Sequence, residues 1–509
     1  MPNIKTQHNK AYKNEYIALG LLIVIFLASR MFALDSDIPT WENSHYSPID
    51  EFYYTTESFD IVEGVHAPDG KLLSPQYSAY NIVEQLVTAG TLYILGDNYY
   101  GLRTPSVLAG LAVLILFYLL VLNRFGLAYA ISFSLLLISE QSFTLATRIA
   151  EPTIFRMAAA AALLLIFAKQ DYTQKYQLRA IGFATCFAWL FIYPTNAFLG
   201  LFALATIITC NPNKILTSAS HYLTGCIICV VVYLVSYYSL GYTINDLLTT
   251  KSIFSGRVLS EAESSFIKQT YFKLLGLSRA SFFVAHPLFL TISMFSLFLM
   301  TTLILTKNKL ITRTDKVVFI FCTCFLLQCA FINDYPERKL VFLLPICLYL
   351  CMFTAKTALR KATANKSMIL GTTAVAASIV VFSIQTFDNV YKNPQYTYKN
   401  SMIKLSTLDD ERIIGGWAYG FRLYNSYKPY LNQYTIIYSE PQRYYQMLND
   451  AGRQGNATFT IEYGDDETEQ KMKRIDFYKN KLAFKSNDTA YPDIYIYRFI
   501  EKKNLSTTN

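Results

Sequence analysis

Cysteine is missing from every polar stretch of this chain. All nine cysteines, from Cys186 to Cys351, lie in or at the ends of apolar runs, so neither a disulfide framework nor a zinc-ligand spacing is present. Charge is scarce as well. Charged residues make up 16% of the 509 positions against 53% hydrophobic ones, and the mean hydropathy is +0.26. That balance excludes one soluble domain and fits a multi-span membrane protein with a soluble part. The net charge of +9 does not gather into a single basic stripe, so no nucleic-acid partner is expected. No clear internal repeat emerges. No small-x-small cleavage site follows Met31, so Lys5, Lys10, Lys13 and the apolar run over 15–34 predict an uncleaved first span with a cytoplasmic N-terminus.

The remaining apolar runs predict spans near 104–122, 127–146 and 152–168. Two short spans then meet at the outer turn Tyr193-Pro194-Thr195-Asn196. Further spans fall near 220–240, 283–305, 317–333, 340–358 and 368–386, about eleven in all. Most basic clusters then face inward. Residues 76–95 are half-apolar and carry Asn81, Glu84 and Gln85, which predicts an amphipathic helix lying at the interface. Counting it as a span would turn the later basic loops outward. The expected product is an α-helical, multi-pass protein of the plasma (inner) membrane. Residues 1–386 form its membrane domain, with an outer loop over 35–103. Residues 387–509 are predicted as an extracytoplasmic α/β domain, with strands in Arg412–Phe421, Tyr434–Tyr438, Thr458–Tyr463 and Ile494–Phe499 and helices near 441–452 and 466–480.

The outer loops hold the informative residues. Ser47-Pro48-Ile49-Asp50-Glu51-Phe52-Tyr53-Tyr54 places two carboxylates just beyond the first span, where acids are costly unless water, a cation or a substrate meets them. A solvated helix start, with Pro48 opening it, is the simpler explanation. Glu151 is a third outer acid. Arg103, Arg148, Arg338 and Lys339, with Tyr335 beside the last two, are outer cations that break the positive-inside trend. Any one arginine is explained by snorkelling to headgroups. Four cations around an acidic loop suit a lipid-linked phosphate ester: the cations hold the phosphate and a carboxylate takes a proton from an attacking hydroxyl.

Asp50-Glu51-Phe52-Tyr53-Tyr54 resembles the Asp-Glu-x-x-Tyr motif of polyprenyl-phosphate-dependent glycosyltransferases, the group of the protein O-mannosyltransferases and lipid A aminoarabinose transferases. The segment from Leu102 to Gly110 is similar to their Arg-Leu-Pro-Ser-x-Leu-x-Gly. Thr147-Arg148-Ile149-Ala150-Glu151 is similar to their Arg-x-Ala-x-x-Asp/Glu. Glu337 to Pro345 resembles their Arg-Tyr-Leu-Leu-Pro. The ordered set covers about 15–360. It implies the GT-C membrane fold and inverting transfer of a hexose or pentose from a polyprenyl-phosphate donor, in contact with membrane lipids, to a glycan, lipid or protein acceptor. Asp50 takes the place of the general base. Glu51 and Glu151 would orient the acceptor or help hold a divalent cation. Arg103, Arg148, Tyr335, Arg338 and Lys339 would grip the donor phosphate, and Tyr54 would position substrate.

Three departures stand out. Lys71-Leu72-Leu73-Ser74-Pro75 lacks the acid of the family's Glu-Lys-Pro-Pro, Lys339 stands where tyrosine is usual, and Arg156 interrupts an apolar run. His45 and His66 flank the motif and read as surface residues. The competing class is a transporter or flippase for a lipid-linked glycan, which would usually show repeats and acids inside its helices.

Overall fold

The computed structural model describes residues 4–36, 48–63, 75–169, 174–193, 196–210, 212–239, 243, 287–331, 341–359, 364–394, 396, 399–400 and 403, together with 412–414, 428–429, 459–463, 478–484 and 494–499. Its membrane part is helical: α1 (Ile4–Met31), α2 (Pro48–Glu63), α3 (Pro75–Leu95), α4 (Tyr99–Phe125), α5 (Leu127–Ser139), α6 (Gln141–Ala146) and α7 (Thr153–Lys169). There follow α8 (Lys175–Phe187), α9 (Ala197–Cys210), α10 (Ile215–Ser239), α11 (Pro287–Leu305), α12 (Arg313–Phe331), α13 (Leu344–Leu359) and α14 (Ala364–Thr386). Helices thus stand at the places expected for spans. Among the described residues five are long and apolar enough to cross a membrane: Lys13–Met31, Tyr99–Phe125, Ile215–Ser239, Val341–Ala358 and Thr373–Tyr391.

Helix α4 is the axis of the bundle and packs against α1, α3, α5 and α7. Asn98 starts it by accepting from the amides of Tyr100 and Gly101 at 2.9 and 3.1 Å, and Gly126 ends it in the left-handed region. Pro105 lies inside α4 and has no amide hydrogen for the carbonyl of Gly101. Thr91 of α3 supplies the missing donor: its hydroxyl reaches that carbonyl at 2.6 Å. A Cβ on Gly101 would meet the Gly96 carbonyl oxygen at 2.3 Å, so only glycine permits this approach of α3 to α4.

Helix α3 is inside out by the standard of a soluble helix. Asn81, Glu84, Gln85 and Thr88 are buried, while Tyr93 and Ile94 are 81% and 78% exposed. Its polar face packs inward on α2, while Leu86, Val87, Tyr93 and Ile94 are exposed. A kink at Asn81, with φ of −145°, breaks it near its start.

Five short strands form one mixed sheet: β1 (Arg412–Ile414), β2 (Lys428–Pro429), β3 (Phe459–Tyr463), β4 (Tyr478–Phe484) and β5 (Ile494–Phe499), in the order β2-β1-β3-β5-β4. β1 runs parallel to β2 and β3, and β5 is antiparallel to β3 and β4. The helix predicted near 466–480 is corrected at its end, because Tyr478-Lys479-Asn480 begins β4 and pairs with β5. Tyr434–Tyr438 and 441–452 lie outside the described residues.

Candidate active site

Pro48 opens α2, as its fixed φ and missing donor favour at a first helical position. The backbone of Asp50 therefore lies in the first turn. One residue on, the Glu51 carboxylate is buried and doubly bonded to Arg103, Nε to Oε1 at 2.7 Å and Nη2 to Oε2 at 2.8 Å. The amide of Ala150 donates to the same Oε1 at 3.0 Å. Arg103 also donates through Nη1 to the carbonyls of Leu34 and Ser36, and its guanidinium lies 3.8 Å from the Tyr99 ring centroid. One ion pair thereby ties together the end of α1, the start of α2, the start of α4 and the segment that carries Glu151.

Arg148 works on the same carbonyl cluster. It donates to Arg30 O at 3.2 Å, to Phe32 O at 2.6 Å and to Ala33 O, and lies 5.1 Å from the Tyr391 ring centroid. These oxygens lie at and just beyond the end of α1, where carbonyls lack a partner within the helix; that of Ala33 also accepts from the Ser36 amide at 3.1 Å. Burial pushes the Arg148 guanidinium down to about 10, which leaves it charged at neutral pH. Through these contacts Arg103 and Arg148 cap α1, and Arg103 holds Glu51.

A second group begins at Tyr54, one turn beyond Glu51. Its carbonyl accepts from Asn81 Nδ2 at 3.0 Å and from Gln85 Nε2, while Gln85 Oε1 accepts from the amide and hydroxyl of Ser58 at 2.9 and 2.7 Å. The buried polar face of α3 thus locks onto α2. The Tyr54 ring meets Tyr193 edge-on at 6.4 Å between centroids. Tyr193 in turn faces Arg156, whose guanidinium lies 5.3 Å from the Tyr193 centroid and 5.4 Å from that of Phe342. Arg156 Nε donates to Asn196 Oδ1 at 3.4 Å. A fully buried arginine in an apolar helix is costly unless its charge is met by partners. Its sequence signal was the interruption of the run from Thr153 to Phe167.

The structure therefore brings Glu51, Arg103 and the 148–151 segment into one cluster, and Tyr54, Tyr193, Arg156 and Phe342 into a second that shares α2. Glu151 is buried, with Thr153 Oγ1 donating to its Oε2 at 3.4 Å. The side chain of Asp50, and Tyr335, Arg338, Lys339, His45 and His66, lie outside the described residues. Phe342, four residues after Arg338 in the sequence, lies against Arg156. Both Glu51 oxygens are taken by Arg103, and no group of three His, Cys, Asp or Glu side chains gathers among the described residues.

No family model and no curated protein matches this sequence. Solved structures do match. ArnT from Cupriavidus metallidurans bound to undecaprenyl phosphate superposes with a TM-score of 0.58 at 12% identity, over 94% of this chain and 97% of that one. The apo state of ArnT gives a TM-score of 0.59 at 12% identity, over 96% and 98%. At that identity the likeness shows the fold: this membrane protein has an ArnT-like, GT-C-like architecture along nearly its whole length.

Proposed function

We propose that this chain is a membrane glycosyltransferase that moves a hexose or pentose from a polyprenyl-phosphate donor to a hydroxyl acceptor on the outer face. The observation that carries this is convergence. Glu51, Arg103 and the amide of Ala150 meet at the start of α2, and Tyr193 and Arg156 link Tyr54 of that helix to Phe342, in a fold shared with a protein solved with undecaprenyl phosphate. In this reading the N-terminus is cytoplasmic, about eleven helices cross the membrane, α3 lies in the outer interface, and 387–509 is an extracytoplasmic α/β domain.

The acceptor oxygen attacks the anomeric carbon. The bond from that carbon to the phosphate oxygen breaks with inversion, and polyprenyl phosphate leaves with the electron pair. The Asp50 carboxylate takes the hydroxyl proton. Tyr335, Arg338 and Lys339 hold the leaving phosphate, as preorganised donors do at a developing charge. Glu151 orients the acceptor and Tyr54 positions substrate. Arg103 and Arg148 are positioning residues: they fix the α1 end and Glu51, and so the first turn of α2 that carries Asp50.

Membranes containing the chain, given polyprenyl phosphate with a radiolabelled sugar, should pass the label to an acceptor. Asp50→Asn should leave a folded protein with transfer lowered by about 10²–10⁴. Wild-type transfer by that variant removes Asp50 as the base. Label that crosses the bilayer still on its lipid indicates a flippase.

A further inference from the structure

The far end of the bundle carries a charged cavity, unconnected with the chemistry above. Arg103 and Arg124 lie on the same helix α4, and 21 residues of helix separate them by roughly 30 Å. Around Arg124 a cavity of about 550 Å³ opens between the ends of α4 and α13 and the α11–α12 connection. Arg124, Lys309 and Lys356 line it, with Phe125 and Tyr129 as its aromatic wall.

Three cations from three distant parts of the chain repel one another unless something offsets them. Asp315 offsets one. Its buried carboxylate accepts from Arg124 Nε at 2.9 Å, from the Tyr349 hydroxyl at 2.9 Å and from the Thr312 amide and hydroxyl at 2.8 Å. Asp315 is thereby fully engaged. Lys356 is turned inward, with Nζ donating to the Arg124 carbonyl at 3.3 Å and lying 5.4 and 5.9 Å from the Phe125 and Tyr129 centroids. Among the described residues neither Lys356 nor the exposed Lys309 has an ion-pair partner. Lysines that merely snorkel extend away from the bundle. Lys356 instead points over two rings into the cavity.

We propose that this cavity binds an anionic phosphate group, supplied by a phospholipid headgroup of that leaflet or by a soluble phosphate ester. Two ammonium groups without an ion-pair partner among the described residues, together with the Arg124 guanidinium, provide the charge. The aromatic wall suits the glycerol or acyl part beside a phosphate, and basic pockets between membrane helices commonly take such headgroups.

The full chain is purified in detergent and titrated with phosphatidylglycerol or phosphatidylcholine, and retained lipid is counted by native mass spectrometry. Wild type should retain phosphatidylglycerol saturably and phosphatidylcholine weakly. Lys309→Ala with Lys356→Gln should weaken phosphatidylglycerol binding about 25-fold, at roughly fivefold per lost lysine. If the double variant fails to fold, Lys309→Ala alone should cost about fivefold, since that side chain supports no contact. Calorimetry with glycerol 3-phosphate forms the soluble arm, and binding lost in the same variants names a soluble ester as the source. Retention and calorimetry unchanged between wild type and variants overturn the proposal.

Discussion

Glu51 and Arg103 stand 52 residues apart in the chain and meet through two parallel hydrogen bonds of 2.7 and 2.8 Å, with side chains 0% and 2% exposed. A planar guanidinium matches a carboxylate this way and lysine does not. Removing one partner strands the other charge in an apolar interior, which costs about 3–5 kcal/mol. Glu51→Leu and Arg103→Met should each lower the unfolding midpoint in detergent strongly. The double variant Glu51→Leu/Arg103→Met should lose less than the sum of the singles. Additive losses in such a double-mutant cycle would show that the pair is not coupled.

The link from Thr91 to Gly101 gives a rescue experiment. Pro105 cannot donate to the Gly101 carbonyl, and the Thr91 hydroxyl does so at 2.6 Å. Thr91→Val keeps the shape and leaves that carbonyl unpaired, a cost of about 1–3 kcal/mol. Adding Pro105→Ala restores an amide at the position four residues beyond Gly101 and should recover most of the lost stability. If Pro105→Ala gives no recovery in the Thr91→Val background, the hydroxyl is not replacing the helix bond.

Much of this was legible in the sequence, for definite reasons. The apolar runs located the helices because a bilayer demands long unbroken stretches. The mixture over 76–95 identified α3 because its polar and apolar residues fall on opposite faces. Pro48 marked the start of α2. Pairing was not legible: nothing local to Glu51 says that Arg103 is its partner, and nothing local to Arg103 says that it caps α1. Both facts come from tertiary approach. Arg156 was visible as an interruption, but Tyr193 and Phe342, which surround it, are ordinary residues in sequence. Strand β4 was hidden because Tyr478 to Phe484 carries three lysine or asparagine residues that favour other structure.

Helices α8 and α10 touch through two glycines. A Cβ on Gly182 would lie 2.0 Å from the Tyr222 carbonyl oxygen, and one on Gly225 would lie 1.9 Å from that of Arg179. Both obstacles are backbone and cannot swing aside, which is how small residues let membrane helices approach closely. Gly182→Ala or Gly225→Ala should force α8 from α10 and cost about 1–3 kcal/mol, as overpacking does. Cysteine pairs across this contact, cross-linked by reagents of increasing length, read the separation directly. Cross-linking with the shortest reagent unchanged in both variants rules out the close approach.

Arg156 separates a substrate contact from a structural plug. It is buried against Tyr193 and Phe342 and bonded to Asn196 at 3.4 Å, and its helix position faces the segment that follows Arg338. If it meets the donor phosphate, charge is what matters. Arg156→Lys should then keep much of the transfer rate, while Arg156→Met, of similar length and apolar, should raise the donor KM by about tenfold or more, the cost of one lost charge-assisted hydrogen bond. Acceptor KM should be unchanged in both. If Arg156 serves only packing, the order reverses. Methionine fills the space without burying a charge, so Arg156→Met should be at least as stable as the parent and transfer at the parent rate. Donor KM measured for the two variants, beside their unfolding midpoints, distinguishes these outcomes in one series.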